Sequence, residues 1–135
     1  MAIARLGSPI DIAISGLRAE TLRMKVISGN IANSRTSRTE TGQPYRRKEV
    51  SVTTSAAAAG GVQIGGVTED MSTDFKEIYM PGHPDADKSG MVKMPNVDLP
   101  NEMMSMVGAS RAYQANAAIL KRYQDMVNAT LELLR

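Results

Sequence analysis

The residues that come closest to a chemical site run from 81 to 90, PGHPDADKSG, which holds the single histidine of the chain. His83, Asp85 and Asp87 are all metal-ligand types, and an imidazole beside a carboxylate is also the usual proton-transfer pair. Their spacing fits neither use. Strong zinc signatures on a helix place two histidines one turn apart, and here there is one. A calcium loop counted from Asp85 needs a bidentate Glu at its twelfth position, which is Asn96. Pro81-Gly82 and His83-Pro84 are turn punctuation, and Asp85 and Asp87 are suited to bonding nearby backbone N–H groups. The stretch therefore reads as a structural turn built from Pro81, Gly82, His83, Pro84, Asp85 and Asp87.

No other chemistry is offered. The chain has no cysteine, so thiolate sites, disulfides and Cys nucleophiles are excluded. No G-x-S-x-G is present, and the glycine pairs of GGVQIGG are not followed by G-K-[ST], so no nucleophile elbow or phosphate loop is formed. No catalytic, cofactor-binding or metal residue is assigned, no cofactor is expected, and the chain is not expected to be an enzyme. Tyr45-Arg46-Arg47-Lys48, with Arg35 and Arg38 upstream, forms a short basic patch. One interleaved aromatic gives no stacking platform, so a solvated or partner-facing strand is the plainer reading. The alternative is a soluble nucleic-acid-binding or self-associating helical module that uses the basic 35–48 segment.

The elements that position these residues follow from periodicity. Ser8-Pro9-Ile10-Asp11 starts a helix: a capping hydroxyl, a proline at the first helical position and an acid in the first turn. Ile10, Leu17, Met24 and Ile31 then recur every seven residues, with Ala13 and Ile27 in a second row that Glu20 interrupts. Gly16 allows a close helix approach, and Gly29-Asn30 and Asn33 weaken the helix near its end. Asp98 and Pro100 start a second helix over 99–135. There Leu99, Met106, Tyr113, Leu120, Val127 and Leu134 are spaced by seven without a break, and Met103, Ala117 and Leu131 fill the second row. That is a 3.5-residue period over five heptads. Such a helix, about 55 Å long, exceeds the roughly 30 Å width of a globule this size, so an elongated molecule is expected. Its stripe pairs with the first helix, with other copies, or with both.

The middle alternates differently. Val50 and Val52, Val62 and Ile64, and Phe75 to Tyr79 are short strand signals divided by glycine pairs. Residues 55–61 read as a loop or tip, and 32–44 as a polar connector with too little apolar surface to hold itself by burial. The fold class is therefore α+β: long terminal helices form a coiled-coil-like layer around residues 1–34 and 96–135, and residues 35–95 make a connector and a small β-rich middle. Ten methionines and five aromatics in 135 residues suit helix seams better than a deep pocket. Nine basic and three acidic residues up to Lys48, a net of +6, oppose a net of −4 beyond it, which suits contact between copies or relatives. No apolar run reaches transmembrane length, and no secretory signal is expected in MAIARLGSPID.

Taken together, SGNIANSRT, GQPYRR, PGHPDADKSGMVKMPNVDLPNEM and SRAYQANAAILKRYQDMVNATLELL resemble the rod proteins of the bacterial flagellar basal body, and among them the proximal-rod type. The resemblance covers nearly the whole chain. Met91 departs from it, since an aromatic is expected after that glycine. The resemblance implies a structural subunit that assembles helically into the drive shaft crossing the periplasm, is exported by the flagellar type III apparatus without a cleaved signal, and forms part of the export channel. The implied partners are other rod proteins, ring or adaptor proteins and export-gate proteins. Carried onto this chain, Leu99, Met103, Met106, Tyr113, Leu120, Val127, Leu131 and Leu134 would face an inner packing layer, with Ile10, Leu17, Met24 and Ile31 opposite. Asn30 and Asn33 would close the end of the first helix.

Overall fold

A computed structural model describes residues 8–55 and 60–134. Its elements are α1 (Pro9–Ala32), β1 (Lys48–Ser55), β2 (Gly61–Glu69), β3 (Lys76–Tyr79), β4 (Met91–Met94) and α2 (Leu99–Leu133). The fold is α+β, with a long helix at each end and two two-stranded sheets, β1–β2 and β3–β4, between them. The local signals act where they stand. α1 begins at Pro9 and its first turn is closed by Ile12 N–H donating to Ser8 O at 3.2 Å. It ends where Asn33 returns both its backbone N–H and its side-chain amide to Gly29 O, at 3.1 and 2.9 Å. At the start of α2, Glu102 N–H donates to Asp98 O at 2.9 Å and the Asn101 amide to Asp98 Oδ2 at 2.8 Å. The tip expected at 55–61 falls largely on residues 56–59, outside the described residues.

The chain forms two compact units. The first gathers the described parts of Met1–Met24, Val50–Gly66 and Val107–Arg135. Among the described residues its buried apolar side chains are small: Ala13, Ala19 and Ala109. The helices meet closely at Gly16, where an added Cβ would lie 2.7 Å from Asn116 Nδ2. β2 is tied to α1 by Val62 N–H donating to Ser15 Oγ at 3.0 Å.

The second unit holds Lys25–Glu49 and Val67–Met106. Its core is Ile27, Val92, Pro95 and Val97, and Val92 has no exposed surface. β3 and β4 are antiparallel, pairing Glu77 with Lys93 and Ile78 with Val92. β4 has no counterpart among the strands expected from sequence. MVKM has one β-branched residue and lies between Gly90 and Pro95, too short to show a period; it becomes a strand because Val92 fills the core opposite Ile78. The polar connector is ordered by hydrogen bonds instead of burial. Tyr45 N–H donates to Thr36 O at 3.0 Å, Thr39 N–H to Gln43 O at 2.8 Å, and Ser37 Oγ to Asp85 Oδ2 at 2.8 Å.

The β3–β4 connection needs glycine at its end. Gly90 has φ +78°, and a Cβ there would stand 2.9 Å from the Tyr79 ring and 3.1 Å from Pro81 Cβ. Gly42 has the same φ of +78° with nothing within 4 Å. Gly42→Ala should cost about 1 kcal/mol through backbone strain alone, and Gly90→Ala about 1 kcal/mol more through the added contact. Urea unfolding of the two variants side by side measures the difference, and equal midpoints would show that the turn relaxes around the methyl group.

Candidate assembly interface

α2 turns two different surfaces inward and outward. Glu102 and Ala109, spaced by seven, are its buried residues; Asn116 and Tyr123 continue their row at intermediate burial, with Ser105 and Ala112 beside them. All are polar or small except Tyr123. The large apolar side chains lie on the other sides. Met103 is 57% exposed, Leu131 60% and Leu134 81%, and Leu99, Tyr113 and Val127 are exposed as well. Met106 and Leu120 are half-buried, as are Ile10, Leu17, Met24 and Ile31 on α1. The seven-residue rows thus mark an apolar face that the chain itself leaves largely open. Met104 and Val107 are exposed as well, and Ile119 and Met126, 50% and 56% exposed, continue the row of Ser105 and Ala112. They escaped the sequence reading because they fall between the rows, although large apolar residues three and four apart were the available signal.

Sequence reasoning also missed the polar cluster that holds the second unit together. Asn30 is fully buried and makes four hydrogen bonds. Its amide donates to Lys48 O at 2.9 Å and to Glu102 Oε2 at 3.1 Å. Its carbonyl accepts from Lys48 N–H at 2.9 Å and from Tyr45 OH at 3.0 Å. Glu102, 1% exposed, also accepts from Arg47 Nε at 2.5 Å. Arg47 N–H donates to Asn96 Oδ1 at 2.7 Å, and the Asn96 amide reaches Asp70 O and Thr73 O, each at 3.1 Å. A buried carboxylate, two buried carboxamides and a guanidinium thereby leave few polar groups unpaired.

Charge follows this arrangement. Burial alone would lower the Arg47 pKa, but hydrogen bonds and charge from Glu102 and Glu49 hold it above its ordinary value. Burial, then Glu102 and Glu69, raises the Tyr45 phenol. Hydrogen bonds from Ser72 and Thr73 depress Asp70 from 3.8 to about 2. The basic patch is engaged within the chain: Arg46 lies 4.3 Å over the Phe75 ring and donates to Asp70 O at 2.9 Å, while Arg47 pairs with Glu102 and Glu49.

The Pro81 to Asp87 stretch is knit by its own backbone. Asp85 N–H donates to His83 Nδ1 at 3.1 Å, Ser89 and Met91 N–H donate to Asp87 Oδ1 at 2.8 and 2.9 Å, and Asp85 takes Arg38 at 3.5 Å. Pro81, Gly82 and Pro84 are exposed around it. Among the described residues no group of three His, Asp or Glu side chains is placed to hold a metal ion, and no helix is long and apolar enough to cross a membrane.

Two family descriptions match the chain: flagella basal body rod protein over residues 10–38, and the C-terminal part of the flagellar basal body rod FlgEFG proteins over residues 88–133. The flagellar basal-body rod protein FlgC of Escherichia coli O6:H1 is 44% identical over 126 residues, covering 91% of this chain and 93% of its own. FlgC of Borreliella burgdorferi is 37% identical over 150 residues, covering 96% and 98%. FlgC of Bacillus subtilis is 36% identical over 143 residues, covering 92% and 95%. The chain belongs to the FlgC family of flagellar basal-body rod proteins. In this FlgC-family chain the two matched segments carry the two sides of one hydrogen bond, Asn30 in the first and Glu102 in the second.

Asn30→Ala would strand the Glu102 carboxylate, the Tyr45 hydroxyl and both backbone groups of Lys48, at a cost of about 3 kcal/mol. Asn30→Asp should be worse at neutral pH, because it sets a second carboxylate against Glu102, and should recover relative to Asn30→Ala as pH falls toward about 4. Chemical denaturation at both pH values checks the order. Asp70 gives an independent acid signature. Its folded pKa lies below its unfolded one, so its contribution is complete above about pH 4 and is lost as pH falls through about 2. Asp70→Asn should flatten the loss of stability between those values; an unchanged acid limb would assign the loss to other carboxylates.

Proposed function

We propose that this chain is a subunit of the proximal rod that assembles helically with its own copies and with other rod proteins, forming part of the shaft that carries motor torque and of the channel through which later subunits are exported. The observation that carries this reading is the open apolar face of α2, on which Leu131 and Leu134 are 60% and 81% exposed. Apolar surface of this kind gains about 25 cal/mol per Å² when it is covered, and a neighbouring subunit's helix supplies the cover. A shaft needs stiffness and many modest contacts in series, and no pocket or reactive group. On this reading residues 1–34 and 96–135 act as the helical rod layer, with Ile10, Leu17, Met24 and Ile31 facing the α2 rows, and residues 35–95 as connector and middle region. Asn30 and Asn33 close α1, and the Pro81 to Asp87 turn returns the chain toward α2. Ring or adaptor proteins and export-gate proteins are the further partners, and export proceeds through the flagellar type III apparatus without signal cleavage.

Mass spectrometry of purified hook–basal bodies should find this chain in every particle, and its absence beside other rod proteins would overturn the reading. Leu131→Asp addresses the interface. Leu131 is exposed, so the variant should fold and be produced normally, yet be missing from rods and reduce motility to near zero. Gln124→Asp, at an exposed polar position of the same helix, should be incorporated normally. Leu131→Asp present at wild-type copy number in intact rods would remove Leu131 from the interface.

A further inference from the structure

One edge of β1 pairs with β2, and the other does not. At Lys48 the second edge is closed by a side chain: Lys48 N–H donates to Asn30 Oδ1 and Lys48 O accepts from the Asn30 amide, both at 2.9 Å. Backbone groups alternate along a strand, so the N–H and C=O of Val50, Val52 and Thr54 point out on that same edge. The sheet gives β1 one strand neighbour, β2, on its other edge. Val52 is 44% exposed, and Thr53 and Thr54 are exposed beside it.

Open edges are ordinarily guarded by charge, proline or a bulge. This one has no such guard in its outward row. From Val50 to Thr68 the chain contains no Asp, Glu, Lys, Arg, His or Pro, although 22% of the whole sequence is charged. A two-stranded ribbon is also marginal in water by itself and gains from added strands.

We propose that this edge pairs with the same edge of a second copy of the chain, β1 against β1 and antiparallel about Val52, to give a four-stranded sheet across a two-fold axis. The edge is self-complementary in that register: Val52 meets Val52, Val50 meets Thr54 and Ser51 meets Thr53. Lys48 and Glu49 fall outside this paired run, so no like charges are opposed, whereas a parallel arrangement would set Glu49 beside Glu49. An uncharged edge has nothing with which to select a charged partner, and its own copy presents the matching row of donors and acceptors. The contact is isologous and closes on itself. It therefore does not lengthen a helical polymer; it belongs to the free chain, where it covers an otherwise aggregation-prone edge. It stands independently of the α2 interface.

Sedimentation equilibrium of the full chain over a range of concentrations tests it. The wild type should show a concentration-dependent dimer. Val52→Pro removes both central N–H donors at a position where the fold itself uses none, and should abolish the dimer while the circular dichroism spectrum is kept. Val52→Lys and Val52→Asp should each weaken dimerisation about tenfold by opposing like charges, and an equimolar mixture of the two should restore it. That rescue carries the test if the proline variant misfolds. Leu131→Asp separates this contact from α2 association and should leave the dimer intact. A wild type monomeric at all concentrations, lysine and aspartate variants that associate as the wild type does, or a dimer lost only in Leu131→Asp would each overturn the proposal.

Discussion

The carboxylate of Glu102 is 1% exposed, and a buried charge of that kind persists only where it is neutralised and fully bonded. Arg47 supplies the charge and Asn30 the remaining donor. These three residues come from the end of α1, the entry to β1 and the first turn of α2. Their geometry fixes those elements relative to one another within the second unit. Asn30 has a further role that a carboxylate or an apolar residue could not take. Its amide offers a donor and an acceptor side by side, as a peptide group does, and so stands in for a neighbouring strand at Lys48. Of the common side chains only Asn and Gln can do this, and the longer Gln would not fit the same distance from the helix. Asn96 repeats the device, accepting from Arg47 N–H and donating to two carbonyls.

In the first unit the energetics are different. Among the described residues the buried apolar side chains are alanines, and the helices approach at Gly16 and Asn116. Small residues bring backbones close but remove little apolar area from water, so this contact sets position more than it stabilises. The large side chains of α2 are kept out of it. From Met126 to Leu134 every residue of α2 and its terminal turn is exposed, including Met126, Val127, Leu131, Leu133 and Leu134. A chain that packed those residues internally would be more stable alone and would have less to offer a neighbour.

The sequence was legible where the determining contacts are local. Ser8-Pro9 and Asp98-Pro100 announced both helix starts because caps and prolines act within one turn. The seven-residue period of Leu99 to Leu134 was equally visible. Which face of that helix the chain buries was not, since period alone does not say whether Glu102 and Ala109 or Leu99 and Met106 face inward, and the answer depends on a partner 72 residues away in sequence at Asn30. β4 was illegible for the opposite reason, being four residues long with its one signal in Val92. The connector was legible as polar but not as ordered, because its order comes from Asp85, 48 residues beyond Ser37.

The same distinction explains how the residues that first suggested chemistry are held. His83 Nδ1 is occupied by Asp85 N–H, and Asp87 by two backbone donors. Arg46 and Arg47 face an aromatic ring, carbonyls and carboxylates of their own chain. His83 and Asp87 are bonded within their own turn, while Asp85, Arg46 and Arg47 are drawn into directional bonds between segments of the second unit. The apolar residues of α2 are left with the non-directional task. Directional bonds tolerate little displacement, while apolar contact tolerates small shifts of register at nearly constant energy. A basal-body rod subunit is served by that division: polar groups committed within the chain, and methionine-rich apolar surface, the most adaptable kind, left outside it.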